Sequence, residues 1–188
     1  ETNLPLNIFE SRYLKMVNDI LKNNKFLGMI QSKNINGEVY NVGCLGKIDE
    51  HNRTEDGRIL INLKGISRFQ IDKEIKNNEP YREFYVNYDL FKDDMNKKNS
   101  TVINEKLNDL INNSKTFFKK NGILINWSEL SRLSPQKQIY NLAMISPISA
   151  EEKQKLIEIV KLDDVANILN EITKFNFYEN SEKKKILQ

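Results

Sequence analysis

Residues 4–21 constrain the fold more than any other stretch. An apolar run, Leu4-Pro5-Leu6-Asn7-Ile8-Phe9, leads within two residues into a helical pattern. Apolar positions then recur at Tyr13, Leu14, Val17, Ile20 and Leu21, one face of a 3.6-residue period. Ser11 suits the helix start, Glu10 sets a carboxylate at its positive end, and Asn23-Asn24 ends it. A buried run feeding an amphipathic helix needs a cover for both, and the strand-rich segment that follows is the candidate.

That segment carries turn signals at short intervals. Phe26-Leu27-Gly28-Met29-Ile30 is a continuous apolar run and reads as a buried strand. Asn36-Gly37 is a strong hairpin signal, and Asp56-Gly57 is a second turn. Val39 to Asp49 alternates, with Gly43 and Gly46 marking a bulge or a tight bend. Residues 58–63 form a β-rich run that Gly65 breaks, residues 66–71 alternate again, and so do residues 81–90. The connections are too short for crossover helices, so the pairing is antiparallel and the class is α+β, a small and partly open barrel around one early helix.

Beyond Lys92 to Asn99, read as a charged linker, the period changes. Ser100 or Thr101 caps a long helix that ends at Asn121-Gly122. Trp127 to Leu130 forms one turn. Ser134-Pro135 opens a helix that stops before Pro147. Ser149-Ala150-Glu151-Glu152 is a capping box, and Asp163 caps a last helix whose Val165, Ile168, Leu169, Ile172 and Phe175 face inward. Each buried Leu, Ile or Phe contributes roughly 1.5–3 kcal/mol, enough for a helical core. The expected division is a β subdomain over residues 1–92, a helical bundle over 100–178 and a flexible tail over 179–188.

Chemistry is sparse. His51 is the only histidine and lies in Asp49-Glu50-His51-Asn52-Arg53, read as a polar hairpin loop, so no metal site is expected. Cys44, the single cysteine, excludes an internal disulfide, fits a reducing cytoplasmic setting and reads as a small core residue. No nucleophile elbow and no phosphate-binding glycine loop is present, so neither an enzyme nor a bound cofactor is expected. No apolar run is long enough to span a bilayer. A net charge of +3 is weak support for a nucleic-acid partner. Arg58, Arg68 and Arg82 lie in or beside the sheet, as rim ion pairs or as a basic groove.

The stretch Leu4 to Val17, LPLNIFESRYLKMV, resembles the opening of the substrate-recognition domain of Lon proteases, a family with short stand-alone bacterial members that lack ATPase and protease domains. Further segments are similar in order: Gly28-Met29-Ile30, the VGCLGKI of residues 42–48, Gly57-Arg58, the LKGISRF of residues 63–69, and Tyr81-Arg82. In the helical half the similar positions are Trp127, Asn141 with Leu142-Ala143-Met144, Pro147, and Glu152 to Glu158. Ser11 stands where the family often has Pro, and Val165 where it often has Arg. The family's first strand precedes LPL, which leads us to expect residues upstream of Glu1.

The resemblance implies a PUA-like antiparallel β pseudo-barrel followed by an α-helical bundle. It also implies recognition of polypeptides rather than their cleavage. The expected partners are unfolded or partly folded chains, with a protease or chaperone system nearby. Peptide contacts are expected at Glu10, Arg12, Met29, Arg68, Phe69 and Tyr88, with strand addition to an open sheet edge as one mode. The alternative is RNA binding, since PUA-like barrels elsewhere bind RNA, but the lysines show no dense interleaving with aromatics, and the polypeptide reading leads.

Overall fold

A computed structural model describes residues 3–95 and 104–186, from residue 179 on by backbone alone. The chain divides into two compact units, Glu1–Lys97 and Lys98–Gln188. The first unit comprises β1 (Asn3–Ile8), α1 (Ser11–Leu21), β2 (Phe26–Met29), β3 (Val42–Arg53), β4 (Ile59–Ile75), β5 (Glu83–Asn87) and a 3-10 helix (Asp89–Asp94). The sheet is antiparallel in the order β1-β4-β3-β2, and β5 also pairs with β4.

The long β3–β4 hairpin is the frame. Gly57, at φ 86°, takes the left-handed position in its turn, where the Thr54 N–H donates to the Arg58 carbonyl at 3.0 Å. β4 outruns β3, and β1 and β5 occupy different stretches of it, opposite residues 59–64 and 70–75. Between them lies a change of face. Leu45 pairs with Ser67, but Gly46 pairs with Gly65, so Ile66 is an extra residue in β4. The bulge breaks the alternation. Before it, Ile59, Ile61 and Leu63 pack with Val17 of α1, Leu27 and Ile48. After it, Phe69 projects from the other side.

Two glycines of β3 record that switch. A Cβ on Gly46 would lie 2.5 Å from Leu63 Cγ, and one on Gly43 would lie 2.6 Å from both the Phe69 ring and the Met29 carbonyl oxygen. Gly43 and Gly46 are three steps apart, so they open opposite faces of the strand. Each makes room for a large side chain of β4.

Several local expectations change. The opening run is an edge strand rather than a buried stretch, with Leu4 and Phe9 exposed. β2 is likewise an edge, and only Leu27 is buried in it. β3 continues through the polar residues 49–53, so His51 sits on a strand opposite Ile61 instead of in a loop. All five of these residues are exposed, and Arg53 donates to the Asn18 side chain of α1 at 2.6 Å, so this end of the strand is polar without burying a charge. Gly65 does not end a strand, since β4 passes through it. The expected linker begins later, because Lys92 to Asp94 belong to the 3-10 helix and the adjacent Phe91 is buried. The rest of that linker and the Ser100 or Thr101 cap lie outside the described residues.

The second unit contains α2 (Asn104–Lys120), α3 (Trp127–Ser131), α4 (Pro135–Ile145), α5 (Ala150–Glu158) and α6 (Leu162–Ile186). Its ends follow local chemistry. Gly122, at φ 71°, turns the chain out of α2 while the Ile123 N–H reaches the Phe118 carbonyl at 2.9 Å. The Asn126 side chain caps α3, and Ser149 with Glu152 forms the reciprocal box at α5, at 3.1 and 2.7 Å. Asp163 lies inside the first turn of α6 rather than capping it, and Phe175 is exposed rather than inward. α6 runs on through Ile186, over positions where a flexible tail is expected. The core gathers Leu110, Phe117, Phe118, Ile139, Leu142 and Leu169, and Trp127 stacks on Phe118 at 6.1 Å. Ser114 in α2 is buried there with its hydroxyl unpartnered.

These contacts give two expected outcomes for urea unfolding followed by circular dichroism. Gly43→Ala should destabilise by about 1–3 kcal/mol, whereas Gly28→Ala, whose Cβ would meet Phe69 at an ordinary 3.5 Å, should stay within about 0.5 kcal/mol. Ser114→Ala should be neutral or stabilising by about 1 kcal/mol, because it removes an orphaned polar group from an apolar core.

Candidate functional site

In the sheet unit, apolar side chains reach the surface beside the two outer strands. Phe9, 63% exposed, follows β1 directly. Phe26 and Met29, each 37% exposed, bracket β2. Tyr85 on β5 is also exposed. The outer strands differ chemically, because Pro5 brings no N–H to β1, whereas β2 carries a donor at every position.

Three of the residues expected at a peptide site lie on the surface. Glu10 takes the N-cap position of α1, but its side chain makes no cap hydrogen bond. Its carboxylate instead accepts from Arg12, with Nε at 3.1 Å and Nη2 at 2.9 Å, and the Arg12 guanidinium lies 4.5 Å from the centre of the Tyr13 ring. Both charges are about half exposed, so the pair contributes at most about 1 kcal/mol to stability and is open to a partner. Met29 is the third, and the Lys47 ammonium approaches the neighbouring Phe26 ring at 5.8 Å.

Of the other three, Arg68 and Phe69 brace the unit from within, and Tyr88 is half-buried. Arg68 donates to both oxygens of Asp94, from Nε at 2.8 Å and Nη2 at 2.7 Å, and its backbone N–H reaches the same carboxylate at 3.0 Å. The side chains are only 12% and 19% exposed, and the guanidinium covers the Phe91 ring at 4.4 Å. Phe69 is 2% exposed, lies against Gly43 and meets Tyr88 edge-on at 6.4 Å. Phe69 therefore presents no face to a ligand, and Arg68 spends its fork on Asp94. Alternation alone marks such residues as strand positions without saying which side is covered.

The remaining polar groups tie elements together. Arg58 pairs with Asp56 at 2.8 Å in the β3–β4 turn. Arg82 holds Glu74 at 2.6 and 2.7 Å and donates to the Gly37 carbonyl. The arginines read as either rim ion pairs or a basic groove are thus rim and internal pairs. Lys15 bonds Asp19 and Glu79, and the Tyr81 hydroxyl donates to Asp19 at 3.1 Å. These two donors, Lys15 first, hold the Asp19 carboxyl below its ordinary range. Burial pushes the Cys44 thiol up against a weaker opposing pull from Arg68, so it stays protonated at neutral pH and is a poor nucleophile.

A shallow depression of about 630 Å3 beside the β3–β4 turn is lined by Asn7, Asn52, Leu60 and the already paired Arg58 and Asp56. It lacks the apolar enclosure of a small-molecule site. Among the described residues, no three His, Cys, Asp or Glu side chains are grouped to hold a metal ion.

A family model, the ATP-dependent protease La (LON) substrate-binding domain, matches residues 1–174. No curated protein matches the chain significantly. A Lon N-terminal domain protein from Xanthomonas campestris has a similar solved structure, with a TM-score of 0.66 at 16% identity, covering 89% of this chain and 88% of that one. The N-terminal domain of the Mycobacterium avium complex Lon protease is similar at a TM-score of 0.60 and 14% identity, covering 92% and 90%. These likenesses support the fold, an antiparallel sheet that is not closed, followed by helices.

The brace makes its own prediction. Arg68→Ala should destabilise by about 2–3 kcal/mol, because it leaves Asp94 without its charged partner, while Asp94→Asn should cost less, since it keeps an acceptor for the Arg68 N–H. Urea unfolding of the variants ranks them, and equal losses would contradict the shared role of the carboxylate.

Proposed function

The chain belongs to the Lon substrate-binding domain family, and from this we propose that it is a recognition module for unfolded or exposed polypeptide segments. The family match carries the reading. The exposed Phe9, Phe26, Met29 and Tyr85 support it, because apolar side chains beside open strand edges suit chains whose own apolar residues are uncovered. We assign contacts to Met29 and to the exposed Glu10–Arg12 pair. Arg68, Phe69 and Tyr88 support the surface from behind.

The module binds without cutting, and its partners are unfolded or partly folded chains that it delivers to a protease or chaperone system in the cytoplasm. Among the described residues, no helix is long and apolar enough to cross a membrane. RNA is the weaker reading, because Arg58, Arg68 and Arg82 are each engaged by a carboxylate and offer no ready phosphate fork.

Paired titrations at physiological salt test this reading, one with a labelled, permanently unfolded protein and one with a labelled single-stranded RNA. Saturable binding to the unfolded chain alone is expected, and Met29→Asp should weaken it several-fold. Salt-sensitive binding to RNA alone would overturn the reading.

A further inference from the structure

We propose that the outer edge of β2 receives an extended polypeptide segment as an added strand, with Gly28 as the point where the two backbones meet. This rests on the polypeptide-recognition reading and gives it a place and a mode.

The direction of the backbone groups follows from one hydrogen bond. The Ile48 N–H donates to the Lys25 carbonyl at 2.8 Å, so residue 25 faces β3. Alternation then turns the backbone groups of Leu27 and Met29 toward β3 and those of Phe26 and Gly28 outward. The Phe26 N–H is already taken by Asn24 Oδ1 at 3.2 Å. The Phe26 carbonyl and both backbone groups of Gly28 are left on the edge, and no strand pairs with β2 on that side among the described residues. Such a row is a template for another chain, and an extended backbone is the occupant that meets donors and acceptors at strand spacing.

Gly28 supplies the second observation. Its φ is not left-handed, unlike those of Gly37, Gly57 and Gly122. Packing does not demand it either, since an added Cβ would find only ordinary contacts with Phe69, in contrast to Gly43 and Gly46. A glycine in a strand weakens it, and neither local reason for accepting that cost applies here. What an exposed edge glycine does provide is bare backbone that another backbone can approach closely. Phe26 and Met29, three steps apart and so on opposite faces, would grip the side chains of an incoming strand from above and below.

Charge selects the occupant. Lys25 precedes the strand, Lys47 pairs with Phe26, and no acid lies in β2 or in its paired stretch, residues 44–47. A second copy joined edge to edge would bring the lysines of both copies to one seam. A segment that alternates apolar residues and carries flanking acids fits better.

The probe is a short fluorescent peptide alternating Val and Thr and bracketed by Glu, with a twin N-methylated at every Val and Thr. The twin keeps every side chain and loses the backbone donors. The untreated peptide should bind the full chain and compete with the unfolded protein, and its twin should bind about tenfold more weakly. Gly28→Pro should produce a similar loss, because it removes the outward N–H and leaves the ladder to β3 intact. The methylated twin needs no variant, so the test survives if Gly28→Pro fails to fold. Equal binding of both peptides, or unfolded-protein binding that Gly28→Pro does not weaken, would overturn the edge while leaving polypeptide recognition standing. Failure of the chain to bind any unfolded protein would overturn both. A Gly28-dependent dimer in sedimentation would assign the edge to a second copy and also overturn the proposal.

Discussion

A seventeen-residue strand must find partners for its backbone along both edges, and β4 meets that demand piecemeal. β3 covers one edge over most of its length. The other edge is divided between β1 and β5, and in the gap between them the Asp94 carboxylate accepts the Arg68 N–H. The same carboxylate holds the Arg68 guanidinium, so one side chain closes a gap in the sheet and fixes the 3-10 helix that carries Phe91. The bulge at Ile66 belongs to this arrangement. It lets a single strand contribute Leu63 to the core under α1 and Phe69 to the opposite side, which a flat, regular strand cannot do.

Much of this is legible in the residues. Asn36-Gly37, Asp56-Gly57, the capping box at Ser149 and the glycine stop at Gly122 each act through local backbone chemistry, so a sequence displays them. The α+β class with antiparallel pairing follows from turn spacing and the change of period. Sidedness is not legible. Phe26-Leu27-Gly28-Met29 has the composition of a buried strand, yet it is an edge, because edge position depends on which strands pair across long separations. Arg68 and Phe69 lie in a segment similar to the family's, and nothing local in that segment distinguishes a contact from a brace. Their burial comes from Asp94 and Gly43, and no local pattern announces those partners. His51 has the look of a loop residue because residues 49–53 of β3 are polar and exposed throughout, which leaves no apolar alternation to reveal a strand.

The candidate surface is what remains once the bracing residues are set aside. The arginines that could have formed a basic groove are tied to Asp56, Asp94 and Glu74, so their charge holds the β3–β4 turn, the 3-10 helix and the β4–β5 pair in place. The accessible features are apolar side chains and open backbone at the sheet's outer strands. Under the proposed reading, that combination suits the general character of an unfolded chain, its uncovered apolar residues and unpaired amides, more than any one sequence.

Amide hydrogen exchange on the full chain, with and without excess permanently unfolded protein, addresses the central claim most directly. The Gly28 amide should exchange fast in the free protein and become protected in the complex, while the amides under α1 stay unchanged. Protection confined to α2–α6, or none anywhere in the sheet unit despite saturated binding, would contradict it.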